Sequence, residues 1–183
     1  MAISIADEVG VYMRFHMSKF TVFMIFFIMV STLFMNQTAK FIEKSWGKEG
    51  EEAILGMLFI VVFVLAVMAR SGKGLFALQS VFFFIFLFLG LVLAWRIKNP
   101  AERVHIIEYG ILGWSAAHDF SGARCAGKGL LAACIMGLIV GFADELIQMA
   151  LPYRVFDTRD IFFNGLGTLW GVAVFVLHVL KRC

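Results

Sequence analysis

The sequence predicts an all-α fold, a polytopic membrane helix bundle with about six transmembrane helices, built as one domain over residues 1–183. Three observations carry that expectation. The chain is 61% apolar with 21 phenylalanines and only 16% charge, against about 25% charge in an average soluble domain. Its apolar runs are long enough to cross about 30 Å of hydrocarbon at about 1.5 Å per helical residue. Its remaining polar residues recur at helical spacing and gather in the second half of the chain.

The first three runs, at 18 to 35, 53 to 69 and 75 to 94, are nearly featureless. The loop between the first two, NQTAKFIEKSWGKEGEE at 36 to 52, reads as a solvated linker or as a short amphipathic helix with Trp46 at headgroup level. Three further runs, at 104 to 118, 128 to 149 and 161 to 180, carry His105, Glu108, Asp144, Glu145, Gln148 and Asn164 among apolar positions. Between the third and fourth runs, Pro100 suits the first turn of a helix that Asn99 would cap. Between the fifth and sixth, Pro152 ends one helix and Asp157 would cap the next. Glycines four apart in GLIVG (137 to 141) and GTLWG (167 to 171) permit close helix packing.

Six crossings place both termini on one side. Arg14, Lys19, Arg70, Lys73, Arg124, Lys128, Lys181 and Arg182 then lie on the terminal side. Lys40, Lys44, Lys48, Arg96, Lys98, Arg103, Arg154 and Arg159 lie on the other. The positive-inside rule returns a tie. Treating Arg103, Arg154 and Arg159 as site residues rather than topology signals favours cytoplasmic termini in a bacterial inner membrane. The first apolar run is read as a retained span, because no small residue stands three positions before a plausible cut.

Other classes are excluded early. Cys125, Cys134 and Cys183 have neither the number nor the spacing of a zinc site or a disulfide framework and are read as apolar filler. Positive charge forms no long basic block, so nucleic acid is not an expected partner. His16, His118 and His178 fall on the opposite side from His105, so no three-histidine metal site forms, and no cofactor is expected. Paired broken helices of the transporter kind are missing from the pattern.

The second-half polar residues converge by geometry. The fourth span starts at the side where the fifth ends and the sixth starts again. His105 and Glu108, Asp144 and Gln148, and Asp160 and Asn164 each share a helix face. Ionisable groups at membrane depth are costly and face the bundle interior or a water-filled cavity, so one shallow pocket is expected to hold all of them. The competing structural explanation is an ion-pair network in which Arg154 and Arg159 neutralise Asp144, Glu145, Asp157 and Asp160.

In chain order, ERVHIIEYG with Glu102, His105 and Glu108, GFADELIQ with Asp144, Glu145 and Gln148, the turn Pro152, Tyr153, Arg154, and then Asp157, Asp160, Asn164, Gly167 and Gly171 resemble the VanZ-like family of bacterial membrane proteins. The resemblance covers 99 to 171 as a core preceded by three additional apolar spans. His105 falls at the family's histidine, Glu145 and Gln148 at its acidic and amide positions, Arg154 at its arginine, and Asp160 and Asn164 at its final polar pair. Tyr153 departs from the pattern, where a glycine is frequent. The resemblance implies a connection with glycopeptide resistance and assigns no reaction.

As an enzyme, the site would use His105 as base, Asp144 or Glu145 to set its tautomer, and Arg154 to grip a phosphate with two parallel hydrogen bonds. Asp160 or Glu145 would serve as nucleophile if water did not, since no serine sits in a Gly-x-Ser-x-Gly elbow. Gln148, Asn164, Arg103, Glu108 and Tyr109 complete the candidate binding set. The expected partner is a membrane lipid carrying a phosphate, or a lipid-linked envelope precursor. The rival expectation is a non-catalytic accessory subunit that docks a partner membrane protein through the same residues.

Overall fold

The computed structural model describes residues 17–71, 78–97, 100–121, 127–152, 154 and 157–179. The expected roles of Asn99, Tyr153, His16, Cys125 and Cys183 lie outside them. All regular structure among the described residues is helical: α1 (Lys19–Ser71), α2 (Leu78–Trp95), α3 (Pro100–Ser121), α4 (Gly127–Met149) and α5 (Thr158–Val179).

The stretch at 36 to 52 is not a loop. It continues α1, because NQTAKFIEKSW contains no proline and is rich in residues that tolerate a helix. The chain breaks only at Gly47, whose φ of 69° lies in the left-handed region that a residue without Cβ adopts at little cost. The break divides α1 into two arms, and Trp46 beside it is 66% exposed.

Ser18 caps the first arm: its hydroxyl accepts the Thr21 backbone N–H at 3.2 Å. The Asp119 carboxylate at the far end of α3 accepts the Ser18 backbone N–H at 2.7 Å and the Thr21 hydroxyl at 2.6 Å. About midway along the same arm Ser31 reaches Glu108, so this arm and α3 run antiparallel. The second arm packs beside α2 through Phe59 on Trp95 and Phe63 on Phe84, with ring centroids 5.6 and 6.0 Å apart.

Helix α3 starts at Pro100, as the missing N–H of proline allows. It forms the centre of the bundle, with Ile106, Ile107, Tyr109, Leu112, Ala116 and Ala117 all buried. Helix α5 starts beyond Asp157, whose carboxylate accepts the Arg159 backbone N–H at 2.9 Å, as expected of a cap. The two glycine pairs serve different partners. Gly137 and Gly141 of α4 sit against Thr168 and Asn164 of α5, so these helices are antiparallel. Gly167 and Gly171 of α5 sit against Ile106 and Gly110 of α3, so these are parallel. A Cβ at Gly167 would lie 2.7 Å from the Ile106 carbonyl oxygen, and one at Gly171 would overlap the Gly110 carbonyl.

The outer surface is apolar. Phe23, Phe26, Phe34, Phe82, Phe88, Leu138, Ile139, Phe162 and Leu169 are among its exposed side chains, the inverse of a soluble domain and the arrangement hydrocarbon surroundings favour. Three described helices are long and apolar enough to cross a membrane: α1 over 19–68, α4 and α5; Ser80–Trp95 is a shorter apolar helix. This is fewer than the expected six: the two arms of α1 are counted together across the kink at Gly47, α2 is short, and α3 carries Glu102, Arg103, His105 and Glu108 within its length.

Two consequences can be measured. Gly171→Ala forces the α3 and α5 backbones apart and is expected to cost about 1–3 kcal/mol, as overpacking does, or roughly 2–4 °C of melting temperature per kcal/mol in a chain of this size. Gly127→Ala, with nothing within 4 Å of the added Cβ, leaves the melting temperature unchanged; equal melting of the two variants in detergent would refute the close contact. Asp119→Ala removes the acceptor for both Ser18 and Thr21 and is expected to cost about 1.5–3 kcal/mol per charged hydrogen bond lost. Limited proteolysis should then cut near residue 18 while the parent protein resists.

Candidate functional site

The three polar helix faces meet around one carboxylate. Asp144 on α4 is fully buried. Its Oδ1 accepts the Thr32 hydroxyl of α1, and its Oδ2 accepts the Tyr109 hydroxyl of α3 at 3.2 Å. His105 Nδ1 lies 3.8 Å from the same Oδ2 and 3.8 Å from Glu108 Oε2. Positions 105, 108 and 109 are three and four apart and therefore project from one side of α3. The His105 and Tyr109 rings lie 6.3 Å apart and tilted.

Glu145 follows on the next position of α4 and turns toward the start of α5. Its Oε1 accepts the Asp157 backbone N–H at 2.7 Å, which ties the cap of α5 to α4. The charges of Asp144, Asp160 and Arg154 act on both His105 and Glu145, so Asp160 and Arg154 belong to the same neighbourhood. Gln148 and Asn164 are buried one helical turn further along their helices, with Asn164 packed against Gly141.

Many polar atoms here have no hydrogen-bond partner. Both ring nitrogens of His105 are unpartnered, as are Glu108 Oε2, Glu145 Oε2, Gln148 Nε2, Arg154 Nε and Nη2, and both side-chain amide atoms of Asn164. Buried polar groups are ordinarily satisfied, so such a concentration calls for an explanation. Arg154 enters no ion pair within 4 Å among the described residues, which the structural ion-pair network would require of it. His105, Asp144, Glu145, Gln148 and Asn164 are at most 1% exposed, whereas Arg154 and Asp160 are half-buried. The cluster thus lies deeper than a shallow pocket, and its partly exposed edge is Arg154 with Asp160.

Two candidates point to other work. Arg103 donates to Glu52 at 2.6 Å and to the Ile97 carbonyl at 2.6 Å, and its guanidinium lies 5.2 Å from the Trp95 ring centre. It fastens the second arm of α1 and the end of α2 to α3. Glu108 accepts the Ser31 hydroxyl at 3.2 Å and lines a cavity of about 300 Å³ between α1 and α3. A second cavity, of about 290 Å³, is walled by apolar residues of all the helices except α4, together with His178.

Ser31 and Thr32 escaped the sequence reading, which treated the first run as featureless. Their only signal is two adjacent hydroxyls in VSTLF, and helix hydroxyls bond the preceding turn, as both do to the Ile28 carbonyl. That they also reach Glu108 and Asp144 depends on where α1 packs. Among the described residues, no group of three or more His, Cys, Asp or Glu side chains is placed to hold a metal ion.

No curated protein and no solved structure gives a significant match to the chain. The sequence profile of the VanZ/LLP1 family matches residues 11–180, taking in the first apolar runs as well as 99 to 171. With nearly the whole chain matched, and with the ordered polar residues of that profile region drawn from α3, α4 and α5 into one cluster, this membrane-type helical protein belongs to the VanZ/LLP1 family.

Proposed function

We propose that the protein binds, and acts on, the phosphate group of an anionic cell-envelope lipid or lipid-linked precursor at the edge of the His105 cluster. The observation that carries this reading is the Arg154 guanidinium, whose Nε and Nη2 are buried without a partner. Buried donors without acceptors are expensive, and adjacent guanidinium donors match two oxygens of a phosphate or carboxylate. His105, with both ring nitrogens unpartnered, adds a group able to donate to an anion or accept a proton.

In the catalytic form of this reading, water attacks phosphorus and His105 takes the water proton. The bond from phosphorus to the lipid oxygen breaks, and the imidazolium returns a proton to that leaving oxygen. Asp144 holds the imidazole by charge, and Arg154 neutralises the oxygens on which negative charge collects. A lipid reaches the half-buried edge at Arg154 and Asp160 without leaving the bilayer.

A second reading is favoured by the depth of the cluster. With His105 and Asp144 at most 1% exposed and no activated nucleophile, the same residues would serve as an anion-recognition or docking element of an accessory subunit, with no bond made or broken. For topology, the two arms of α1 and α2 to α5 supply six crossings of an inner membrane with cytoplasmic termini. This follows from the lysine and arginine distribution after Arg103, Arg154 and Arg159 are set aside.

Parallel measurement of thermal unfolding, phosphate-lipid binding and polyprenyl-phosphate turnover separates these readings. His105→Ala is expected to abolish turnover with the protein still folded. Arg154→Lys should lose about ten- to a hundredfold in binding, the worth of a charged hydrogen bond. Glu145→Gln keeps an oxygen to accept the Asp157 N–H, so a catalytic acid would lose turnover with little loss of stability, whereas a structural network would lose stability. Undiminished turnover in His105→Ala, on a lipid that the parent protein processes, removes the catalytic reading; undiminished binding in Arg154→Lys removes the phosphate site.

Labelling from outside the cell tests the sidedness. A cysteine at Ser45 should react and cysteines at Ser71 or Ala123 should not; the reverse pattern overturns the proposed orientation.

A further inference from the structure

Opposite charges share the half-buried edge of the His105 cluster without pairing. Arg154 stands on the turn after α4, where its backbone N–H meets the Leu151 carbonyl at 3.2 Å, and Asp160 stands in the first turn of α5. Both are half-buried, and the charge of Arg154 acts on Asp160. Glu145 brings its carboxyl to the same turn: Oε1 accepts the Asp157 backbone N–H at 2.7 Å, and Oε2 has no partner. Yet among the described residues Arg154 forms no ion pair within 4 Å with Asp160, Glu145 or any other carboxylate, and the exposed Arg159 forms none either.

In surroundings of low dielectric opposite charges attract strongly, and leaving both unpaired is costly. A ligand with a single charge satisfies one half of this edge and is repelled by the other. A phosphate at Arg154 meets the charges of Asp144, Glu145 and Asp160, which reach the same neighbourhood; a lone amine at Asp160 meets the charge of Arg154. A headgroup carrying both charges suits both halves. We infer that the edge recognises a phosphate ester with a primary ammonium a few bonds away, of the phosphoethanolamine type, its phosphate on Arg154 and its ammonium on Asp160. This rests on the phosphate reading of Arg154 above and adds the second half of the headgroup. The ammonium must be primary: a carboxylate only accepts hydrogen bonds, and a primary ammonium has three to donate whereas a trimethylammonium has none. Glu145, fully buried, adds charge rather than a contact.

The test is lipid binding to the delipidated full chain in detergent, read by native mass spectrometry with lipids of identical acyl chains. Phosphatidylethanolamine is expected to bind about tenfold more tightly than phosphatidylcholine, phosphatidylglycerol or N-acetyl-phosphatidylethanolamine, the worth of a charged hydrogen bond. N-acetylation keeps the phosphate and removes only the positive charge, so this comparison needs no variant and does not depend on how any variant folds. In Asp160→Asn the preference for the amine should vanish, whereas Arg154→Lys should weaken all these lipids together. Glycerophosphoethanolamine, which has the headgroup without acyl chains, identifies the source: displacement of the bound lipid supports the assignment with a soluble ligand, and failure to displace it supports the assignment with a bilayer lipid. Equal binding of phosphatidylethanolamine and its N-acetyl form, or an amine preference that survives in Asp160→Asn, would overturn this inference and leave the phosphate site standing. Undiminished binding of every lipid in Arg154→Lys would overturn the phosphate reading and this inference with it.

Discussion

The bundle depends on the burial of one carboxylate. Asp144 is fully enclosed, and it is tolerated there because α1 and α3 each send a hydroxyl to it, from Thr32 and Tyr109. Removing either of these partners would leave a buried oxygen under-satisfied, which costs more than the net gain of forming the bond. The same atoms therefore fix how three helices meet and where His105 stands, with its Nδ1 3.8 Å from the Asp144 carboxylate. Position and chemistry cannot be separated in this arrangement.

Small residues make the arrangement possible. In hydrocarbon there is little hydrophobic drive to join one apolar helix to another, so close backbone approach and interhelical hydrogen bonds must do it. Gly167 and Gly171 bring α5 onto α3, and Gly137 and Gly141 bring α4 onto α5. Larger side chains at these positions would hold α4 and α5 away from α3 and open the distance between Asp144 and its partners. The Asp119 contact at the far end of α3 and the Arg103 contact at its start then pin α1 at both ends of the central helix.

Charge is distributed unevenly over this frame. Around Arg154 the unpartnered atoms are donors of a cation; beside His105 an unpartnered atom is the Glu108 carboxyl oxygen Oε2. His105 lies 3.8 Å from Glu108 and within reach of the charges of Asp160 and Arg154. A protein needing only to fill a bilayer would have no use for either feature, since apolar side chains pack the same space without a desolvation penalty.

Much of this was legible in the chain itself. Apolar runs separated by Pro100 and Pro152, the cap at Asp157, and the glycines at spacings of four all act through neighbouring residues, so composition and helical periodicity determine them. The same periodicity placed His105 with Glu108, and Asp144 with Gln148, on shared faces. What the sequence could not decide is which faces meet. The apparent loop at 36 to 52 proved helical on both sides of Gly47 because local propensity is permissive there and tertiary packing chose the outcome. Thr32 joined Asp144 across 112 positions, and Arg103 left the candidate site for Glu52 across 51. Neither pairing leaves a trace in spacing, because a side-chain contact between separate helices is set by their packing distance and rotation, and those exist only once all the helices have assembled.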